Sequence, residues 1–190
     1  MGAVRRPLSA LVADMKLANA IVAPMAKNDK TISAAEVREL FIYNPDTGDL
    51  TRRVDRSSNA TSGKRAGCVA PDGYQTVRIS GRAYKVHRLI WLIVLGSWPE
   101  GYIDHIDGDT SNNRWNNLRI ATHQQNTANA KRRKDNSTGY KGVKKLGGRF
   151  QARLGSGGRI HIGTFDTAED AHRAYINAAR SKYGNFAREK

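Results

Sequence analysis

Tyr102-Ile103-Asp104-His105-Ile106-Asp107-Gly108-Asp109, followed by Asn116-Asn117-Leu118-Arg119-Ile120-Ala121 and by Thr122-His123-Gln124-Gln125-Asn126, decides the reading of this chain. Tyr102 to His105 reads as a short strand. Asp107 to Asn117 is rich in Asp, Asn, Gly and Ser, side chains that pin a loop by bonding its own backbone. Leu118 to Ala121 is a second strand, and Thr122 can cap a helix that begins at His123. Strand, loop, strand and helix within about thirty residues make a compact ββα unit.

The stretch puts an acid beside a base. Water is a poor nucleophile and a phosphodiester repels it. Cutting one therefore needs a base for the water and a cation for the developing charge. His105 can be the base. Asp104 can hold the cation, with Asn126 as a second, neutral oxygen ligand. Such hard donors favour Mg²⁺ or Mn²⁺ over zinc. Asn117, twelve residues past the histidine, can accept the proton of the His105 ring and fix its tautomer. Neighbouring residues of a flat strand point to opposite faces, so Asp104 and His105 share a site only where the strand ends or twists. His123 competes with Asn126 as ligand, since both lie in the first helical turn. His87 is either a core histidine at a helix start or a member of the site. Asp107-Gly108-Asp109 is no calcium loop, because the required Gly and final Glu are misplaced.

Outward from this stretch the chain is basic. Its 190 residues carry 32 Lys+Arg against 17 Asp+Glu, a net charge of +15. Residues 131–190 hold 15 of the bases and 5 of the acids, and so most of the excess. Clustered positive charge suits a nucleic-acid partner. The single cysteine, Cys68, excludes an intramolecular disulfide and fits a reducing compartment. The longest apolar run, Leu89 to Leu95, is far short of a membrane span.

Residues 1–30 are Ala-rich, with Leu8, Leu11, Val12 and Met15 at helical spacing, and read as a helix or a disordered extension. Two short strands surround Asn44-Pro45-Asp46-Thr47-Gly48. Arg52 to Gly67 reads as a loop. Tyr74 to Ile79 alternates as a strand after the turn Pro71-Asp72-Gly73, and His87 to Leu95 as a buried helix closed by Gly96. Residues 131–138 form a basic linker. Beyond it, Tyr140–Lys145, Arg149–Leu154 and Arg159–Gly163 read as three strands, and a helix capped by Thr167 runs to about Tyr183. The expected organisation is an extension (1–35), a nuclease unit (36–130), the linker, and a sheet-plus-helix unit (139–190).

His87-Arg88-Leu89, Asp104-His105, Asp107-Gly108-Asp109, Asn112-Asn113, Asn117-Leu118-Arg119, Ala121-Thr122 and Gln125-Asn126 resemble the HNH homing endonucleases of phages, in the subgroup whose last ligand is Asn. The resemblance spans roughly residues 40–130. It implies a ββα-metal (His-Me finger) fold in which Asp104 and Asn126 bind one divalent cation, His105 is the general base and Asn117 orients it. Tyr140-Lys141-Gly142-Val143, Arg149-Phe150-Gln151-Ala152, Ile162-Gly163-Thr164-Phe165 and Ala174-Tyr175 resemble the AP2 DNA-binding domain. That likeness implies a three-stranded antiparallel sheet packed on one helix, lying in the major groove. Its candidate DNA contacts are Lys141, Lys144, Arg149, Gln151, Arg153, Arg159 and His161. The expectation is an α+β, Mg²⁺- or Mn²⁺-dependent endonuclease acting on double-stranded DNA as a monomer or transient dimer. It would be phage-encoded or bacterial, inside a bacterial host and away from membranes. The alternative is a DNA-binding protein or regulator that has kept a relic nuclease unit.

Overall fold

The computed structural model describes residues 32–55, 61–132, 135–155 and 158–189. They divide after Ile120 into two compact units, each with its own apolar core.

The first unit opens with α1 (Ala34–Leu40), started by a capping box. The Ser33 hydroxyl accepts from the Glu36 amide, and the Glu36 carboxylate accepts from the Ser33 amide. An antiparallel hairpin follows, β1 (Phe41–Tyr43) with β2 (Leu50–Arg52). Asn44 Oδ1 accepts the amides of Asp46 and Thr47, and Gly48 turns the chain at φ +81°. A three-stranded sheet is built from β3 (Cys68–Val69), β4 (Gln75–Ile79) and β5 (Arg82–Lys85). The helix α2 (Val86–Leu95) then fills the centre of the unit. Val86, His87, Leu89, Ile90, Trp91 and Leu92 are buried, and the helix ends on left-handed Gly96. Each large apolar side chain so buried contributes about 1.5–3 kcal/mol. The ribbon of β6 (Tyr102–His105) and β7 (Leu118–Ala121) adds Ile103 and Leu118 to the same core. Trp115, in a 3₁₀ turn leading into β7, packs its ring 5.3 Å from that of Trp91.

The second unit contains α3 (His123–Asn129), capped by Thr122 and Gln125. Its sheet is β8 (Val143–Leu146), β9 (Arg149–Leu154) and β10 (Ile160–Phe165), antiparallel in the order β10-β9-β8. The helix α4 (Ala168–Tyr183) supplies Ala171, Tyr175, Ile176 and Ala179 to a core with Val143, Ala152 and Leu154. Ala171 and Ala179, at 0% and 1% exposure, let α4 lie close on the sheet. Gly142, at φ +76°, is required as well, because a Cβ there would stand 2.0 Å from Cδ2 of the buried Tyr175 ring.

Several expectations need correcting. The helical pattern at 1–30 lies outside the described residues. An extension through residue 35 is replaced by a start inside the fold: Ile32 is buried, and the capping box at Ser33 opens a helix that buries Val37. The Ser33-x-x-Glu36 spacing is the local signal that marks this start. β3, which the sequence reading did not anticipate, begins at Cys68, directly after the stretch from Arg52 to Gly67 expected as a loop, and pairs with β4 through Cys68 and Thr76. The units divide ten residues before the expected boundary at 130. The reason is that α3 packs into the second core through Ala128, while Lys141 Nζ donates to the Ala128 and Ala130 carbonyls at 2.5 and 2.6 Å. No helix among the described residues is long and apolar enough to cross a membrane.

The β1–β2 turn backs the loop that precedes β7. A Cβ on Gly48 would stand 2.6 Å from the Arg114 amide nitrogen and 2.7 Å from the Asn113 carbonyl carbon, both backbone atoms. Gly48→Ala is therefore expected to cost about 2–4 kcal/mol, from the left-handed conformation and the overpacking together. Urea unfolding of the two proteins measures it, and an unchanged midpoint would contradict the close approach.

Candidate active site

Asp104 and His105 end β6, and both are buried, at 4% and 3% exposure. Each has its own polar partner. Arg119, from β7, brings both Nε and a terminal nitrogen to 2.8 Å from Asp104 Oδ2. His105 Nε2 lies 3.1 Å from Oδ1 of Asn113, itself 1% exposed. After His105 the strand stops. The Gly108 amide donates to the His105 carbonyl and the Ile106 amide to the Asn117 carbonyl. Two neighbours in the chain can thus belong to one site because the strand turns at that point.

The loop between the strands is held by its own side chains. Asp107 accepts from the Asp109 amide (2.8 Å), from Asn117 Nδ2 (2.9 Å) and from Asn112 Nδ2 (2.6 Å). Asn117 Oδ1 accepts from the Asp107 amide, and its Nδ2 also donates to the Asn112 carbonyl. Burial works against ionisation of Asp107, but these bonds outweigh it and hold the carboxyl below its ordinary range.

The hydrogen bond to the His105 ring comes from Asn113, where the sequence pointed to Asn117. The Asn117 amide is consumed in stitching the loop, and Asn113 holds the His105 ring. Asn113 Nδ2 donates in turn to Gln75 Oε1 at 3.1 Å, thirty-eight residues earlier in the chain. Reading by motif spacing could not find Gln75. Nor did it find Arg119, whose position opposite Asp104 on the paired strand was the available signal.

His87, in the first turn of α2, belongs with these residues. Its ring meets that of His105 edge-on, with centroids 5.2 Å apart and planes at 86°. Tyr74 closes the triangle, 5.1 Å from His87 and 5.9 Å from His105. Lys85 Nζ stands 3.8 Å from the Tyr74 ring centroid. His87 is 5% exposed, and its Nδ1 is buried without a hydrogen-bond partner. Burial, then His105, Lys85 and Arg88, push its pKa well below the ordinary imidazole value. Burial also lowers the pKa of His105, opposed by Asn113 and by Asp107, Asp104 and Asp109. Both imidazoles are consequently neutral near pH 7, the state a base requires.

The two candidates for a helix-borne ligand stand on α3, in the second unit: His123 is exposed and Asn126 half-buried. Among the described residues no three His, Cys, Asp or Glu side chains converge as a metal cluster. What the first unit offers a cation is the buried Asp104 carboxylate. A single carboxylate suits Mg²⁺, which keeps much of its water shell and binds proteins through one or two carboxylates.

Of the candidate DNA contacts, Lys144, Arg149, Gln151, Arg153 and His161 share one face of the second unit's sheet. The register pairs Lys144 with Gln151 and Arg153 with His161, and side chains on β9 alternate. The opposite face carries Val143, Ala152 and Leu154 into the core against α4. Arg149 is partly engaged, its Nε 2.9 Å from Asp166. Arg159 is exposed just before β10. Lys141 does not belong to this face, because its ammonium is tied to the carbonyls that end α3.

Comparison with known proteins places the site in a wider setting. The family model described as HNH endonuclease matches residues 84–128, a segment that includes His87, Asp104, His105, Asn113, Asn117, Arg119 and Asn126. The chain is 38% identical over 107 residues to a protein of Acanthamoeba polyphaga mimivirus named "Uncharacterized HNH endonuclease L560", covering 54% of this chain and 55% of that protein. It is 41% identical over 63 residues to "Protein 3.8" of Escherichia phage T7, covering 33% of this chain and 52% of that one. The chain thus spans about half the length of the curated relatives it matches. No solved structure matches it. Residues 84–128 are thus the part of the chain that is similar to HNH endonucleases.

Proposed function

We propose that this chain is a metal-dependent DNA endonuclease, a homing-type enzyme of phage or bacterial origin that works inside the host cell. The observation that carries the reading is the pair Asp104–His105, both buried, with the imidazole kept neutral and bonded to Asn113. His105 takes a proton from water. The hydroxide so formed adds to phosphorus, and the bond from phosphorus to the sugar oxygen breaks, with the electron pair leaving on that oxygen. Asp104, with Asn126 by its place in the sequence motif, would hold one Mg²⁺ or Mn²⁺. When bound, the cation neutralises charge on the phosphate and the departing oxygen. Arg119 fixes the Asp104 carboxylate. Asn117 keeps the loop closed around the pair and so orients the base only indirectly.

In this reading the second unit is an AP2-like reader of double-stranded DNA. Its basic face of Lys144, Arg149, Arg153 and His161, with Gln151 among them, supports that assignment, as does the clustering of positive charge beyond residue 131. The protein would act as a monomer or a transient dimer on the duplex. A DNA-binding protein without catalysis is the competing reading, and a plasmid-nicking assay with and without Mg²⁺ separates the two.

His105→Ala is expected to lower cleavage by about 10²–10⁴-fold while DNA affinity is retained. In the wild type the base form is neutral, and burial holds the pKa of His105 below its ordinary value. The rate should accordingly be flat through the neutral range and fall about tenfold per pH unit only once the pH drops below that lowered pKa. A wild-type rate in His105→Ala overturns the assignment.

Asp104→Asn and Asn126→Ala are expected to raise the Mg²⁺ needed for half-maximal cleavage by tenfold or more, with His123→Ala unchanged. A metal titration in which His123→Ala shifts most would transfer the ligand role to the histidine.

Lys144→Ala and Arg153→Ala should each flatten the dependence of log affinity on log salt by roughly 0.9, one phosphate contact apiece. Gel-shift titrations across salt concentrations measure the slope, and an unchanged slope in both removes this sheet face from the DNA interface.

A further inference from the structure

Asn113 lies between two groups that decide what it can do. Its Nδ2 points to acceptors, the Gln75 side-chain oxygen at 3.1 Å and the Ser111 carbonyl at 3.4 Å. A backbone carbonyl cannot donate, so this end of the amide is the NH₂ end. The other end, Oδ1, faces His105 Nε2 at 3.1 Å. An amide oxygen has no proton to give, so Nε2 must carry one. A neutral imidazole has only one N–H, and the lone pair that takes a proton from water is left on Nδ1.

The direction of Asn113 is set from outside the segment 84–128. Gln75 begins β4 and is buried, at 8% exposure. The same strand start touches the loop twice more: Thr110 Oγ1 donates to the Gly73 carbonyl at 2.7 Å, and the Tyr74 ring lies against that of His105. From behind, Tyr43 Oη donates to the Asn113 carbonyl at 2.8 Å. The Asn113 backbone is therefore clamped, and only the amide flip of its side chain is left to choose. Ser111 alone, at the longer distance, is a weak guide. Gln75 is the stronger one.

We propose that Gln75 is a positioning residue that, by orienting the Asn113 amide, holds His105 in the tautomer protonated on Nε2. Without an acceptor at position 75, the Asn113 amide loses its main reason to keep Nδ2 turned away from the imidazole. Reversed, it presents a donor to His105 Nε2, the ring proton moves to Nδ1, and the nitrogen meant for water is blocked. The consequence for cleavage rests on the nuclease reading above, whereas the tautomer does not.

The test uses the full-length protein, wild type, Gln75→Leu and Gln75→Glu. Two-bond ¹H–¹⁵N correlation spectra report the His105 tautomer directly, at a pH well above the ordinary imidazole range. Nicking kinetics are run on the same samples with saturating Mg²⁺. The wild type should show protonated Nε2. Gln75→Leu should show a mixture or the Nδ1-protonated form, with kcat reduced about ten- to a hundredfold, the size of loss seen when the outer partner of a metal-bound histidine is removed, and KM unchanged. Gln75→Glu keeps an acceptor for Asn113 Nδ2 and should restore both the spectrum and the turnover. A wild-type ring protonated on Nδ1 overturns the proposal, and so does a Gln75→Leu protein that folds with an unaltered tautomer. If Gln75→Leu does not fold, Gln75→Glu still decides, because a changed tautomer there contradicts the relay. Should the tautomer respond as expected while no form of the protein cuts DNA, the relay stands and the nuclease reading fails.

Discussion

Burying a carboxylate and an imidazole side by side is unfavourable unless each meets a partner of the right kind, and the first unit is organised around supplying them. Arg119 answers Asp104 across the β6–β7 ribbon. Asn113 answers His105 from the loop that joins the two strands. Removing one partner from a buried ion pair costs about 3–5 kcal/mol, because the charge left behind cannot reach water. Strand pairing and chemistry are thereby coupled, since the geometry that brings Arg119 to Asp104 is the pairing of β6 with β7.

The Asp/Asn-rich loop has a different task from the one its composition suggests. Asp107, Asn112 and Asn117 bond chiefly to one another and to the local backbone. They form a rigid arch whose product is the position of Asn113. Tyr74, just before β4, and His87, on α2, set their rings against that of His105. Burial lowers the pKa of His105, and the loop places Asn113 to bond its ring.

How much of this was readable beforehand follows from the range of the forces involved. Periodicity and caps act within a few residues. The sequence accordingly locates α2 to within one residue, places β9 at its observed bounds, and ends α4 at Tyr183 before Gly184. Asp104 and His105 were identifiable because they are adjacent and belong to a spaced motif. The choice between Asn113 and Asn117 was not. Both are loop asparagines, and only the closed arch decides which amide faces the imidazole. Gln75 lay further out of reach, since its link to the site spans thirty-eight residues and no local pattern marks it. The start of β8 was misplaced for a local reason: Asn136 and Thr138 draw Tyr140 to Gly142 into a turn, so the strand begins only at Val143.

The backing of Asn113 by the β1–β2 hairpin bears on how such an active centre can be inherited. Tyr43, Gly48 and Gln75 precede residues 84–128, the segment matched by the HNH endonuclease model. A gene fusion that captured only residues 84–128 would import Asp104, His105 and Asn113 without the Tyr43 and Gln75 side chains that bond Asn113. Transfer between genomes in working form therefore demands a longer tract than the recognisable signature, one reaching back at least to the first hairpin. In such a lineage the signature and the capacity to cut can part company at a recombination point well upstream of any reacting atom.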